Sequence, residues 1–132
     1  MDDKELLLQK AKEAKLHSYA PYSKYHVGAA ILSEGDNVYS SCNVENISFP
    51  CGVCAEAGAI SAMIANGDRV IKKILITSDG NELVYPCGAC LQRIAEFSNQ
   101  ETIIYLANSN KIVKEYKLAD LLPYNFSFED LK

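Results

Sequence analysis

The spacing of hydrophobic and polar residues along the chain predicts a series of short helices and strands. In residues 3–17, apolar side chains recur every three to four positions among lysines and glutamates, which is typical of an amphipathic helix. Pro21 ends this helical pattern. Residues 27–32 and 38–42 are short strand-like runs on either side of a Glu-Gly-Asp-Asn segment, and together they predict a β-hairpin.

The rest of the chain continues this alternation of helices and strands. The elements predicted after the hairpin are a helix at 54–65, a strand at 70–77, a helix at 87–97, strands at 102–106 and 112–116, and a short helix at 118–122. Asn66 and Gly67 end the second helix, and Pro123 ends the last one. The order α-β-β-α-β-α-β-β predicts an α/β fold with one sheet of about five strands and helices on its faces.

Length and charge limit the kinds of protein that this chain can be. Its 132 residues suit one domain, which we expect to span residues 1–132. Thirteen basic and 17 acidic residues give a net charge of −4, so the chain lacks the basic footprint of a nucleic-acid-binding protein. No apolar run approaches the ~18 residues of a membrane span, and the acidic start does not resemble a signal peptide. These features favour a cytoplasmic protein that acts on small molecules. They predict neither nucleic acid nor a membrane as a partner.

The five cysteines carry the chemistry of the sequence. Disulfides are rare in the cytosol, so an odd number of cysteines shifts the expectation toward metal binding or thiol chemistry. Cys51 with Cys54, and Cys87 with Cys90, form two Cys-x-x-Cys motifs. Cys54 and Cys87 stand at predicted helix starts, where unpaired N–H groups and a partial positive charge favour the thiolate that binds metal.

Two kinds of zinc site are compatible with this spacing. Two helices packed side by side could direct Cys54, Cys87 and Cys90 at one zinc ion and leave a position for water, with Glu56 close enough to move a proton. The alternative is a closed structural site made by the four cysteines of the two motifs. A thioredoxin-like redox pair is a third interpretation, but it requires one Cys-x-x-Cys motif and no second.

Five segments, taken together, resemble a known enzyme family. They are residues 19–30, residues 42–46, residues 54–56, residues 86–92, and residues 121–123 with Phe126 and residues 129–131. In this order, and almost from end to end, they are similar to the small homotetrameric zinc-dependent cytidine deaminases. The resemblance implies a three-layer α/β/α sandwich around a mixed five-stranded sheet. It also implies hydrolysis of cytidine and deoxycytidine to uridine and deoxyuridine with release of ammonia, as in pyrimidine salvage.

The resemblance assigns roles to particular residues. Cys54, Cys87 and Cys90 would bind Zn²⁺, and Glu56 would be the catalytic acid and base for attack at C4 of the pyrimidine. The implied substrate-binding residues are Tyr25 stacked on the base, Asn43 and Glu45 at the sugar hydroxyls, the carbonyl of Ala55 at the amino group, Phe49, and Phe126 from a neighbouring subunit. The chain would therefore assemble as a homotetramer.

The sequence departs from the family pattern near the metal and near the substrate. Ala57 and Leu91 stand where the family often has arginines, which offset the negative charge of zinc bound by three thiolates. Arg93 lies three residues after Cys90, and we hypothesise that it compensates for their loss. Phe49 replaces a family tyrosine, so one hydroxyl is missing near the substrate.

Three other functions fit the sequence less well than cytidine deamination. Deaminases of nucleoside-type antibiotics such as blasticidin S share the zinc motifs but lack the sugar-binding glutamate, so Glu45 argues against them. The acidic balance and the short chain argue against a nucleic-acid editing enzyme, which needs a strand-binding groove. A structural-zinc interaction module is the non-enzymatic alternative.

Overall fold

The computed structural model describes residues 2–127, which form a five-stranded sheet with helices packed against it. The helices are α1 (Asp3–Lys15), α2 (Ala55–Ala65), α3 (Gly88–Glu96) and α4 (Leu118–Leu121), and the strands are β1 (Val27–Ser33), β2 (Val38–Cys42), β3 (Ile71–Ser78), β4 (Ile103–Ala107) and β5 (Ile112–Lys117). These elements confirm the predicted ones, with bounds that differ by at most two residues. The sequence pattern missed one 3-10 helix, Phe49–Cys51, because three residues that include a proline show no periodicity.

The sheet is mixed, as the family resemblance implied. Its strand order is β2-β1-β3-β4-β5, with β3 and β4 parallel and the other neighbouring pairs antiparallel. Parallel neighbours need a crossover connection, and α3 supplies it between β3 and β4. Because α2 leads into β3 and α3 follows it, both helices begin near the carboxyl end of β3. This topology brings the two helix N-termini to the same edge of the sheet.

Two hydrophobic clusters on opposite faces of the sheet confirm the three layers. Alternate residues of a strand point to opposite faces, so Ala30 and Leu32 of β1 pack with α1, whereas Ala29 and Ile31 pack with α2 and α3. The α1 layer buries Leu7 and Ala11 completely. No helix within residues 2–127 is long and apolar enough to cross a membrane.

Two glycines allow the helices to approach the sheet closely. A Cβ atom on Gly28 of β1 would lie 2.0 Å from the carbonyl oxygen of Ala11, so a side chain there would push α1 away from the sheet. A Cβ atom on Gly58 of α2 would lie 2.2 Å from the hydroxyl of Ser41 in β2. The close packing of α2 against β2 fixes the position of α2, which begins directly after Cys54.

The carboxylate of Asp68 ties the β1–β2 hairpin to the segment after α2. Its Oδ2 atom accepts hydrogen bonds from Ser33 Oγ at 2.6 Å, Asn37 Nδ2 at 3.1 Å and Tyr39 Oη at 2.8 Å. These bonds, that from Ser33 most, lower the pKa of Asp68 below its ordinary value. The folded chain therefore favours the ionised form of Asp68 more than the unfolded chain does.

We expect Asp68→Asn to lower Tm at pH 7 and to have little effect on Tm near pH 2. A depressed folded-state pKa adds stability above the unfolded pKa of about 3.9, and this stability is lost as the pH falls through the lower folded value. Thermal unfolding from pH 7 to pH 2 would measure the difference, with Glu34→Gln as a control at an exposed side chain of the same hairpin. A Tm difference independent of pH would contradict the assignment.

Candidate active site

Two of the cysteines stand at the starts of helices α2 and α3. Cys54 is the N-cap residue of α2 and Cys87 is the N-cap residue of α3, and both have extended backbone angles. Neither side chain makes a capping hydrogen bond. Each sulfur therefore lies at the positive end of a helix dipole without serving as a cap of its own helix, as expected of a thiol that binds metal.

The structure brings Cys54, Glu56 and Cys90 into one cluster. Their ligand atoms all lie within 4.8 Å of one another, and the two sulfur atoms are 2.6 Å apart. Cys90 is 1% exposed, Glu56 is 5% exposed, and Cys54 is half-buried. Cys54 and Glu56 come from the start of α2, and Cys90 comes from the first turn of α3. The cluster therefore depends on the two helices beginning at the same edge of the sheet.

Electrostatics in this cluster favour a bound cation. The hydrogen bond between the two sulfurs lowers the pKa of Cys54 to about 6 and raises the pKa of Cys90, because the two thiols share one proton. A metal ion is needed to replace that proton and to let both sulfurs ionise. Thiolates and carboxylates are donors that zinc accepts, and these residues fit a zinc ion.

Because Glu56 is buried, its carboxyl group is suited to carry protons. Desolvation raises the pKa of its carboxyl group above the ordinary value, since burial penalises the charged form. A carboxyl group with a raised pKa exchanges protons nearer to neutral pH than an exposed glutamate does. The same shift is common at catalytic sites.

The other cysteines lie outside this cluster. Cys87 is exposed and is not among the three clustered residues, although a charge on it raises the pKa of Cys90, so it is electrostatically close. Cys51 is exposed in the 3-10 helix, and Cys42 is half-buried in β2. All five cysteines fall within residues 2–127 and are free thiols.

Arg93 contacts both sulfurs of the cluster. Its Nη1 atom donates to Cys90 Sγ at 3.5 Å and to Cys54 Sγ at 3.9 Å. The hydrogen bond to Cys90 raises the pKa of Arg93, so the guanidinium is charged there. The hypothesis that Arg93 compensates for the missing family arginines is thus consistent with the geometry.

A cavity of about 490 Å³ is lined by the loop before β1 and by the segment between β2 and α2. Its lining includes Tyr22, Ser23, Asn43, Glu45, Phe49 and Val53. Neither Cys54 nor Glu56 lines it, but Val53 directly precedes Cys54 in the chain. A volume of this size accommodates a small ligand.

Glu45 is held at the cavity by the loop of Tyr22 and Ser23. Its Oε1 atom accepts from the backbone N–H groups of Tyr22 at 3.0 Å and Ser23 at 3.1 Å, and its Oε2 atom accepts from the Ser23 hydroxyl. These bonds, led by the Ser23 hydroxyl, lower the pKa of Glu45, so the carboxylate is an acceptor for hydroxyl groups. Sequence analysis did not identify Ser23, because nothing in the sequence connects it with a glutamate 22 positions further along.

Asn43 links the N-terminal loop to β1. Its Oδ1 atom accepts from the Val27 N–H at 2.9 Å and from the Ser18 hydroxyl, and its Nδ2 atom donates to the Tyr25 carbonyl at 2.9 Å. Asn43 therefore fixes the backbone of Tyr25, whose side chain is partly exposed and does not line the cavity. Of the remaining predicted substrate residues, Ala55 is fully buried at the start of α2 and Phe49 is 75% exposed at the cavity wall.

Phe126 is held beside α3 by Gln92, which sequence analysis had not singled out. The Gln92 side chain donates to the Phe126 carbonyl at 2.7 Å and accepts from its N–H at 3.1 Å. The backbone of Phe126 is thereby fixed, while its side chain is largely exposed. The third part of the C-terminal resemblance, residues 129–131, lies outside the described residues.

Fold and cluster together define the class of protein. Thiols at two helix starts with a buried carboxylate beside them are typical of an enzyme that uses zinc to activate water. The comparisons with known proteins agree. The family model described as "Cytidine and deoxycytidylate deaminase zinc-binding region" matches residues 1–107, and the chain belongs to this family of zinc-dependent deaminases.

Individual relatives support the same assignment. The chain is 42% identical to a cytidine deaminase from Sporosarcina psychrophila over 129 residues, which cover 98% of this chain and 95% of that one. Among solved structures, a cytidine deaminase from Burkholderia pseudomallei superposes with a TM-score of 0.86 at 33% identity, over 96% of this chain and 100% of that one. A cytidine deaminase from Mycobacterium tuberculosis gives a TM-score of 0.82 at 30% identity, over 97% and 100%. The family, the α/β fold, the enzyme class and the zinc requirement predicted from the sequence motifs are confirmed.

Proposed function

We propose that this chain hydrolyses cytidine and deoxycytidine to uridine and deoxyuridine with release of ammonia. The observation that carries the proposal is the buried Glu56 carboxylate beside the Cys54 and Cys90 sulfurs at two helix starts. Membership of the deaminase family gives this arrangement its chemical meaning. Small nucleosides are the substrate class, and the cavity lined by Asn43 and Glu45 is large enough for one.

The residues that would hold zinc are Cys54, Cys87 and Cys90. The sulfurs of Cys54 and Cys90 already lie together. The Cys87 side chain is exposed, so it can rotate about its Cα–Cβ bond and move its sulfur to bind the same metal ion. Zinc, when bound, supplies the Lewis acidity that activates water for attack at C4 of the base.

Glu56 moves the protons of the reaction. A carboxylate oxygen of Glu56 takes a proton from the attacking water and delivers it to N3 of the ring, while the water oxygen forms a bond to C4, which becomes tetrahedral. Glu56 then passes the second water proton to the amino nitrogen, which leaves as ammonia. Its burial next to the sulfurs keeps bulk water from competing for these protons.

The remaining residues would orient the nucleoside. Glu45 and Asn43 offer acceptors and donors to the sugar hydroxyls, and the Ala55 carbonyl accepts from the amino group of the base. The ring of Tyr25 would stack on the base, since stacking requires only a ring face, and Phe49 would lie near the substrate without the hydroxyl of the family tyrosine.

Assembly as a homotetramer in the cytoplasm completes the proposal. Gln92 holds the backbone of Phe126 while the Phe126 ring stays exposed, and such a ring is available to a neighbouring subunit's cavity. Free thiols are typical of the reducing cytosol.

We expect the purified protein to contain zinc and to convert both nucleosides. The decrease in ultraviolet absorbance on cytidine and deoxycytidine measures turnover, with blasticidin S as the rival substrate and zinc content determined on the same sample. Turnover of blasticidin S alone would overturn the assignment of Glu45 to a sugar. Zinc without turnover of any of the three would support the structural-zinc alternative.

A further inference from the structure

We propose that Arg93 is a positioning residue that offsets the excess negative charge of the zinc–thiolate centre and so slows the loss of zinc. This inference rests on the proposed metal site but not on the identity of the substrate. Nothing in the family match or in the relatives' names assigns a role to this residue.

One nitrogen of Arg93 bridges the two helices that make the site. Nη1 is 3.5 Å from Cys90 Sγ on its own helix and 3.9 Å from Cys54 Sγ on α2. Helical side chains lean toward the N-terminus of their helix, so a residue three positions after Cys90 reaches back over its sulfur. Within residues 2–127, no other lysine or arginine side chain is hydrogen-bonded to these sulfurs.

The charge of the site explains what this contact achieves. Zinc with three thiolate ligands carries one excess negative charge, and a guanidinium at this distance neutralises it in part. Arg93 is exposed, so solvent and salt screen the interaction. We therefore expect an effect of roughly tenfold on zinc affinity, which is close to that of a solvated charge pair about 4 Å apart and far below that of a buried pair.

The equivalent position on helix α2 carries no charged side chain. Ala57 lies three residues after Cys54 on α2, as Arg93 lies three residues after Cys90 on α3. An arginine at position 57 therefore places a second guanidinium over the same pair of sulfurs. A cation supplied from α2 is a rescue test for charge, independent of any packing that Arg93 provides.

The decisive measurement is zinc affinity, by competition with a chromophoric chelator. We expect Arg93→Gln to bind zinc roughly tenfold more weakly, Arg93→Lys to keep most of the affinity, and Ala57→Arg to restore it in Arg93→Gln. The loss in Arg93→Gln should shrink as ionic strength rises. Arg69→Gln, which removes the other arginine of the chain and the same unit of charge, is the matched control and should bind like the parent.

The outcomes separate this inference from the proposed function. A parent chain that binds no zinc would refute the proposed metal site itself. A parent that binds zinc, with Arg93→Gln equal to it or with an equal loss in Arg69→Gln, would overturn only the role of Arg93. Failure of Ala57→Arg to restore any affinity would also count against an electrostatic role.

Discussion

Replacing Glu56 with glutamine should abolish deamination while the protein keeps its zinc. Glutamine matches the shape of glutamate but cannot take a proton from water or return one to the base. Proton transfer by a positioned side chain contributes about 10²–10⁴-fold to a rate, and Glu56 serves two transfers, so we expect kcat to fall by about 10⁴-fold. That fall corresponds to roughly 5.5 kcal/mol of activation free energy.

Substrate binding and stability supply the controls for this variant. Glu56 is buried and its pKa is raised, so an amide in its place removes an unfavourable buried charge, and we expect no decrease in Tm. Glu96→Gln at the exposed end of α3 is the matched control and should keep full activity. The measurements are kcat, zinc content and Tm of each variant. A kcat within tenfold of the parent value in Glu56→Gln would remove Glu56 from the mechanism.

The secondary structure was predictable because local patterns agree with the tertiary packing. The β-branched stretch that became β3 is buried in the centre of the sheet, and the alanine-rich stretch that became α2 packs on the sheet through Gly58 and its neighbours. Helix ends were predicted to within two residues because Gly67 readily adopts a positive φ, here 96°, and because Pro123 has no backbone N–H with which to continue a helix. The Phe49–Cys51 turn was missed because its hydrogen bonds, such as that from Cys51 N to Ser48 O, are local and leave no periodic trace.

The site was predictable only in part. The two Cys-x-x-Cys motifs indicated metal, but they could not decide which sulfurs meet, because that depends on the topology that starts α2 and α3 at one edge. The structure gathers Cys54, Cys90 and Glu56 and leaves Cys51 outside the cluster. The partners of Glu45 and Phe126 were not predictable, since the loop at Ser23 and the side chain of Gln92 meet them across long stretches of chain.

Replacing Cys90 with alanine should remove zinc and activity together, whereas Cys51→Ala should keep both. Cys90 is buried and contacts both Cys54 and Arg93, while Cys51 is exposed in the 3-10 helix. Loss of a partner outside the ligand set typically costs 10–100-fold in metal affinity, so we expect loss of the Cys90 ligand to cost more than about 100-fold. Zinc content after dialysis and the rate of cytidine deamination measure the two effects.

Cys87→Ala belongs in the same series because the structure leaves its sulfur exposed and outside the cluster. We expect it to lose zinc as Cys90→Ala does, since the two remaining thiolates leave the metal one protein ligand short of the three that a catalytic zinc site uses. Retention of zinc in Cys87→Ala together with its loss in Cys51→Ala would mean that Cys51 is the third sulfur ligand. Loss of zinc in all three variants would mean a closed four-cysteine site, which leaves no position for water and excludes the proposed mechanism.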